Sequence, residues 1–207
     1  MPLPDTKQKI IDASLQLFNQ YGISNVRLQQ IADETGISVG NLAYHFSNKE
    51  AITESLIASV MQALEELLKQ YGKYPPLKDL DFFFKEYYSL CEKYRFFNYD
   101  ILEVKRNFPG FFQLLQPLYN KIKLQIERRL ELCLQQRFLQ KETDIKKMTA
   151  NVWLMLFFMP AEMQLNGKND VTEEQYRRRL WDYVSVYFVA KGINEYTAVV
   201  APAFIKK

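Results

Sequence analysis

Apolar side chains recur along this chain three and four residues apart, the period of an α-helix, and predict an all-α protein. A first helix is expected from about Thr6 to Tyr21, with Ile10, Ala13, Leu17, Phe18 and Tyr21 on one face. Gly22 stands just past its end, where a left-handed residue is favoured. A short second helix over about 27–35 buries Leu28, Ile31 and Ala32 and breaks at Gly36, after which Ile37 turns back to the core. Ser38 is a good N-cap for a third helix ending near Phe46. Ser47 and Glu50 have capping-box spacing and open a long fourth helix to about Tyr71. Its inward positions are Ile52, Leu56, Val60, Ala63, Leu64, Leu67 and Leu68.

Gly72-Lys73-Tyr74-Pro75-Pro76 is the clearest punctuation in the chain. Beyond it, helices are expected at about 77–94, 98–107, 111–138, 143–165 and 172–191. Pro109-Gly110 separates two of them, Asn166 to Asp170 form a loop, Thr172 and Gln175 make a second capping box, and Pro160 should kink its helix. Residues 193–207 read as an irregular tail. The expected organisation is an N-terminal three-helix domain over 1–50 with helix-turn-helix geometry, linked through the helix at about 48–71 to a helical C-terminal domain over 51–207.

A helix, a glycine turn and a second short helix can set a recognition helix in the DNA major groove. A wheel at about 100° per residue sorts the third helix. Leu42 and Phe46 share the core side with Val39 beside them, Gly40, Asn41 and Tyr44 lie opposite, and Ser38 and His45 flank. On that outer side Gly40 lets the backbone approach a duplex. Asn41 can bond a base edge or phosphate, and Tyr44 can touch a thymine methyl or bond a phosphate. The amides near Ser38 form a helix N-terminus suited to phosphate, and Lys49 is placed as a clamp on the DNA backbone.

Composition narrows the class. With 207 residues, 48% of them hydrophobic, and only 7 Gly and 8 Pro, the chain can bury a real core and form long helices. No run of 18 apolar residues suggests a membrane span, and the first residues do not have the pattern of a secretory leader, so a cytoplasmic location is expected. Cys91 and Cys133 are isolated and read as reduced core residues, the alternatives being a disulfide or a redox switch. With 1 His and no Cys-x-x-Cys, no metal or other cofactor is expected. Net charge is +3, but Lys7, Lys9, Arg27 and Lys49 face five acidic residues within the first fifty. The N-terminal part is therefore no polybasic clamp, and DNA binding there must rest on a few placed groups and backbone amides.

Residues 31–50 read Ile-Ala-Asp-Glu-Thr-Gly-Ile-Ser-Val-Gly-Asn-Leu-Ala-Tyr-His-Phe-Ser-Asn-Lys-Glu. This string resembles the TetR family of bacterial transcription regulators, with its Ile-Ala pair, Gly-Ile-Ser turn, Gly-x-Leu helix, His-Phe and Lys-Glu. The resemblance covers about residues 6–56. It implies the same contacts for the residues that match its motif, His45 and Lys49 included. With the wheel, the expected DNA-contacting set is Arg27, Ser38, Val39, Gly40, Asn41, Tyr44, His45 and Lys49. Two positions depart from the family pattern. Ala43 replaces a usual tyrosine and its phosphate contact, which Tyr44 replaces in part, and Arg27 stands where a capping Thr is common. Arg27 reads equally as a surface charge or as a cation near the DNA backbone.

The C-terminal part is rich in aromatic residues, and packing is the default reading for any one of them. The resemblance adds an effector cavity, for which Tyr87, Phe97, Phe108, Phe112, Tyr119, Trp153 and Phe157 are the candidates. Met148, Met155, Met159 and Met163 suit an adaptable wall, an interface or a core. Val152, Leu156, Met159 and Met163 on one helix, with Leu180, Trp181, Val184, Tyr187 and Phe188 on the last, form wide apolar stripes. They suit a four-helix dimer interface rimmed by Arg177, Arg178 and Arg179, or burial within one chain.

The expected function is a homodimeric regulator that binds double-stranded DNA at a palindromic operator. Its default role is repression, relieved by a small apolar or aromatic effector. The rival is a helical ligand- or protein-binding module without sequence-specific DNA binding, favoured by Ala43 and the near-neutral first fifty residues. An enzyme is not expected: there is no Glu-x-x-His di-metal pattern, phosphate loop or nucleophile-base pair.

Overall fold

The computed structural model describes residues 5–165 and 172–204, without the side chains of Met163 and Gln164. Among these residues the secondary structure is helical: α1 Thr6–Tyr21, α2 Leu28–Thr35, α3 Val39–His45, α4 Lys49–Leu68, α5 Pro76–Lys93, α6 Arg95–Tyr99, α7 Ile101–Asn107, α8 Pro109–Gln135, α9 Ile145–Leu165, α10 Glu173–Ser185 and α11 Ala190–Val199. A 3-10 turn follows at Ala201–Phe204. The extended geometry is an isolated antiparallel bridge between Leu139 and Phe188. No described helix is long and apolar enough to cross a membrane. The loop expected at Asn166 to Asp170 lies outside the described residues.

The chain divides into two compact units that are not contiguous in sequence. The first comprises residues up to Ala63 together with Glu92–Leu115; the second comprises Leu64–Cys91 and the chain from Gln116 onward. In the first unit, Ile10, Phe18, Ile31, Ala32, Leu42, Ile52, Leu56 and Phe96 are fully or almost fully buried. Phe18 meets Phe96 edge-on at 5.9 Å, which seats α6 against α1. Tyr21, expected inward, is 48% exposed. Ser14 takes an inward place in α1, its hydroxyl donating to the Ile10 carbonyl at 2.7 Å.

The cap of α4 differs from expectation by one residue. Asn48, not Ser47, accepts the Ala51 amide at 2.8 Å, because Asn48 is the residue that immediately precedes the helix. Pro109 occupies the first position of α8, where its missing N–H has no intrahelical partner to lose.

In the second unit, Asp79 organises the turn between α4 and α5. Its carboxylate accepts the amides of Gly72, Lys73 and Tyr74 at 3.2, 2.9 and 3.3 Å and pairs with the buried Arg129 guanidinium at 2.9 Å. Arg129 lies against the rings of Tyr71 and Phe83, 4.8 and 4.6 Å from their centroids. Burial lowers the Arg129 pKa, opposed by Asp79. Burial also pushes the Cys133 thiol up to about 12, aided by Asp79. Cys91 and Cys133 are both buried, and neither forms a disulfide.

The segment expected to be irregular is helical over its described part, in α11 and the 3-10 turn at Ala201–Phe204. The α11 helix packs so closely that a Cβ at Gly192 would lie 2.1 Å from the Phe138 carbonyl oxygen, so only glycine fits there. Phe204 is buried, with the guanidinium groups of Arg177 and Arg178 at 4.7 and 5.1 Å from its ring. The expected capping box at the start of α10 is formed, Thr172 accepting from the Gln175 amide at 3.2 Å and Gln175 from the Thr172 amide at 3.3 Å.

Candidate nucleic-acid interface

The α2-turn-α3 unit is built by local chemistry. Arg27 is the N-cap residue of α2, and Gln30 Oε1 accepts its amide at 2.8 Å. Gly36 terminates α2 in the left-handed conformation at φ 69°, its amide turned back to Ala32 and Asp33. Ile37 N–H then closes on the Ala32 carbonyl at 3.0 Å. Ser38 restarts the helix, its hydroxyl accepting the Asn41 amide at 3.1 Å.

This geometry orients α3. Leu42 is 0% and Phe46 5% exposed, whereas Ser38, Gly40, Asn41, Ala43 and Tyr44 are exposed, Tyr44 at 86%. Val39 is half-buried between the two sides. His45 is half-buried and meets the Tyr44 ring edge-on at 5.3 Å. Gly40 is informative because the fold does not require it. An added Cβ would meet only the Ser38 hydroxyl, at 3.9 Å. The outer face of this short helix thus carries bare backbone at Gly40.

Two further expected DNA contacts are placed differently from each other. Arg27 is exposed at the start of α2. Lys49 is turned inward: its ammonium donates to the carbonyls of Ile23 and Val26 at 2.9 and 3.1 Å, tying the loop before α2 to the start of α4. The Ile23 carbonyl also accepts the Val26 amide at 3.4 Å, so Lys49 adds a second donor there.

The pattern of the sequence did not disclose the residues that hold α1 and its following turn against α6 and α7. Asn19 donates to the Lys93 carbonyl at 3.0 Å and accepts the Phe96 amide at 2.9 Å. Asp100 accepts the Ile23 amide at 2.9 Å, and Ser24 donates to Glu103. Burial raises the Asp100 pKa, Ile23 opposes the rise, and the Glu103 charge adds to it. The partners lie more than seventy residues apart, so no local motif could have marked them.

The expected effector residues separate into two groups. Tyr119, Trp153 and Phe157 meet in the second unit with ring centroids 5.3–5.6 Å apart. Tyr87, fully buried, belongs to that unit, and its phenol is pushed up by burial and by Cys91, Tyr119 and Tyr176. Phe97, Phe108 and Phe112 belong to the first unit; Phe97 and Phe108 are buried, and Lys105 sits over the Phe112 ring at 5.1 Å.

The expected dimer stripes are corrected by burial within one chain. Val152, Leu156, Leu180 and Val184 are 0% exposed, Trp181 1%, Met159 6% and Phe188 7%. They fill the second unit's own core, where Trp181 meets Phe84 at 5.6 Å. The Met163 side chain lies outside the described residues. Arg177 is buried rather than at a rim, paired with Asp81 and, at 2.7 Å, with Glu173. What α9 exposes is the neighbouring face, Leu154 at 52% and Phe158 at 55%. Among the described residues no cluster of three or more His, Cys, Asp or Glu could hold a metal ion.

An all-helical chain whose short recognition-type helix is capped by Ser38 and turns a small, polar face outward defines a helix-turn-helix transcription regulator. It belongs to the TetR family: residues 10–56 match "Bacterial regulatory proteins, tetR family" and residues 60–190 match "Bacterial transcriptional repressor". It is 33% identical over 104 residues to the transcriptional regulator RutR of Escherichia coli K12, which covers 50% of this chain and 42% of RutR. It is 38% identical over 61 residues to the regulator SrpR of Pseudomonas putida, 30% of this chain and 29% of SrpR. The matched stretches thus span less than half of these relatives. A TetR-family regulator from Marinobacter aquaeolei shares the fold with a TM-score of 0.80 and 23% identity, over 95% of this chain and 97% of that one. CprB of S. coelicolor A3(2) aligns with a TM-score of 0.73 and 16% identity, over 98% of each chain. The family is one of DNA-binding regulators, not of enzymes.

Proposed function

We propose that this protein is a ligand-responsive, homodimeric repressor that binds a palindromic operator and is released from it by a small molecule. The observation that carries the reading is the outer face of α3, where Gly40 leaves backbone bare although the fold has room for a Cβ. Residues 1–50 are the DNA-reading part and 51–207 the effector and dimer part. Asn41 and Tyr44 read base edges or bind phosphate, the amides near Ser38 hold a phosphate, and Val39, His45 and Arg27 flank the contact. Lys49 supports the interface by bracing the loop before α2, with one ammonium proton left for a DNA phosphate.

A dimer is supported by the apolar groove of about 310 Å³ lined by Leu154, Met155, Phe158, Met159, Glu162 and Arg179. Two copies on a two-fold axis would present two α3 helices to half-sites about 34 Å apart. An effector shifts the population between DNA-competent and incompetent dimers only by its differential affinity for them. Affinity selection of random duplex DNA on the full chain tests the reading. A palindromic winner, bound far more tightly than random sequence, supports it. Weak, salt-sensitive binding with no preferred sequence overturns it in favour of a binding module without operator recognition.

A further inference from the structure

Positive charge around α3 is not where the sequence places it. Lys49, the expected clamp on the DNA backbone, donates to the carbonyls of Ile23 and Val26. Arg27 is exposed, but it stands at the start of α2. A third cation comes from outside the helix-turn-helix. Lys7 is in the first turn of α1, and its ammonium rests over the Phe46 ring, 5.4 Å from the centroid. Phe46 is the residue that ends α3, its amide closing on the Leu42 carbonyl at 2.9 Å. The Lys7 ammonium is therefore held beside the last turn of α3.

Two features set Lys7 apart from an ordinary surface lysine. Its charge has no carboxylate partner among the described residues, only the ring beneath it. It also stands where its own helix disfavours it. The start of a helix bears partial positive charge and favours acidic residues. The first turn of α1 has none, and Asp5 before it makes no side-chain cap. An exposed cation–ring contact is weak, so Phe46 holds the ammonium without neutralising it.

The last turn of α3 is where a cation is useful. The helix has 7 residues, a length of about 10 Å at 1.5 Å per residue. In a major groove about 12 Å wide, each of its turns lies within reach of a phosphate backbone. The last turn offers carbonyls, whose partial negative charge repels phosphate. His45, the basic residue of that turn, is half-buried against the Tyr44 ring. A charge brought from α1 offsets that repulsion.

We propose that Lys7 is a DNA-backbone contact, with the Phe46 ring as the seat that holds its ammonium at the last turn of α3. This rests on the reading of α3 as the recognition helix. The contact is to phosphate, so it adds affinity and fixes the docking of α3 but reads no sequence. The first helix is then part of the DNA-binding surface as well as its support.

The test is DNA titration of the full chain across a range of salt concentrations, with random-sequence duplex and with the duplex that affinity selection yields. Lys7→Met keeps an apolar stem over Phe46 and removes the charge. It is expected to make the dependence of log affinity on log salt shallower by about one for each protomer bound. Both duplexes should lose affinity by the same factor, and the melting temperature should stay within a degree or two. Lys7→Arg should restore the slope. Lys9, exposed in the same helix but about 160° around it, is the control, and Lys9→Met should keep the wild-type slope. An unchanged slope in Lys7→Met, an equal loss in Lys9→Met, or a loss confined to the selected duplex overturns the proposal. A preferred operator with a slope indifferent to Lys7 sinks this contact alone. A slope that depends on Lys7 without any preferred sequence supports the contact and sinks operator recognition alone.

Discussion

The side chain of Asn19 accepts the Phe96 amide at 2.9 Å while its own NH2 donates to the Lys93 carbonyl at 3.0 Å. One carboxamide on α1 thus serves the last carbonyl of α5 and an amide in the first turn of α6. Asn19→Ala leaves the amide of the 1%-exposed Phe96 without an acceptor. The expected cost is about 1–3 kcal/mol, read as a lower urea midpoint at unchanged slope. Asn19→Asp keeps an acceptor but loses the donor, and should fall between the two.

Asp100 makes stability depend on pH. Burial first, and Glu103 after it, lift its carboxyl above the usual 3.8 against the opposing Ile23 amide. The folded chain therefore holds this proton more tightly than the unfolded one. The ionised group is a cost that is present above the raised value and is relieved as pH falls through it toward 3.8. Asp100→Asn keeps an oxygen for the Ile23 amide and carries no charge. It should be at least as stable as the wild type at pH 7, with its advantage shrinking toward pH 4. Denaturation midpoints of both proteins at the two pH values check this, and a pH-independent difference counts against it.

On α3, stability and DNA binding should move in opposite directions. Gly40→Ala meets nothing closer than 3.9 Å, so it should stabilise by roughly 0.5–1 kcal/mol through helix propensity. The same methyl stands on the face offered to DNA and should lower operator affinity. Tyr44→Ala, at an 86% exposed position, should leave the melting temperature within a degree or two and weaken operator binding about tenfold. Melting curves and operator titrations on the same preparations decide both.

The pair of Asp79 and Arg129 should be among the most sensitive in the second unit. Asp79→Ala removes the acceptor of three turn amides and leaves a 1%-exposed guanidinium unpaired. The expected loss is about 3–5 kcal/mol. A double change of Asp79 and Arg129 to apolar residues should recover part of it, since no charge is then buried alone. A double variant no more stable than the single one would show that the turn amides, not the charge, carry the effect.

Much of the DNA-reading end was legible because it is built from short-range rules. Gly36 takes the left-handed conformation that an α2 C-cap needs, Ser38 caps the next helix, and Leu42 with Phe46 sets which side of α3 faces inward. Each depends on neighbours within four residues, so a linear sequence suffices to place Gly40, Asn41 and Tyr44 outward.

The rest depended on partners that sequence distance conceals. A helical stripe says that Leu180, Trp181 and Val184 will be buried but not against what, and here the chain's own core takes them. Lys49 reads as a cation free for DNA until the carbonyls of Ile23 and Val26 are seen within reach. The last helix is invisible to a pattern search, because its β-branched residues and single glycine argue against it. Its packing is seen only in space, where Gly192 closes on Phe138 and the Tyr196 ring lies 5.3 Å from Trp181 and 5.9 Å from Phe188. The sequence by itself determined the helices, their caps and the outward face of α3, since these follow from local hydrogen bonds and the 3.6-residue period. Tertiary structure alone decided which apolar faces close on each other and which polar groups find partners, because burial and desolvation are properties of neighbours in space.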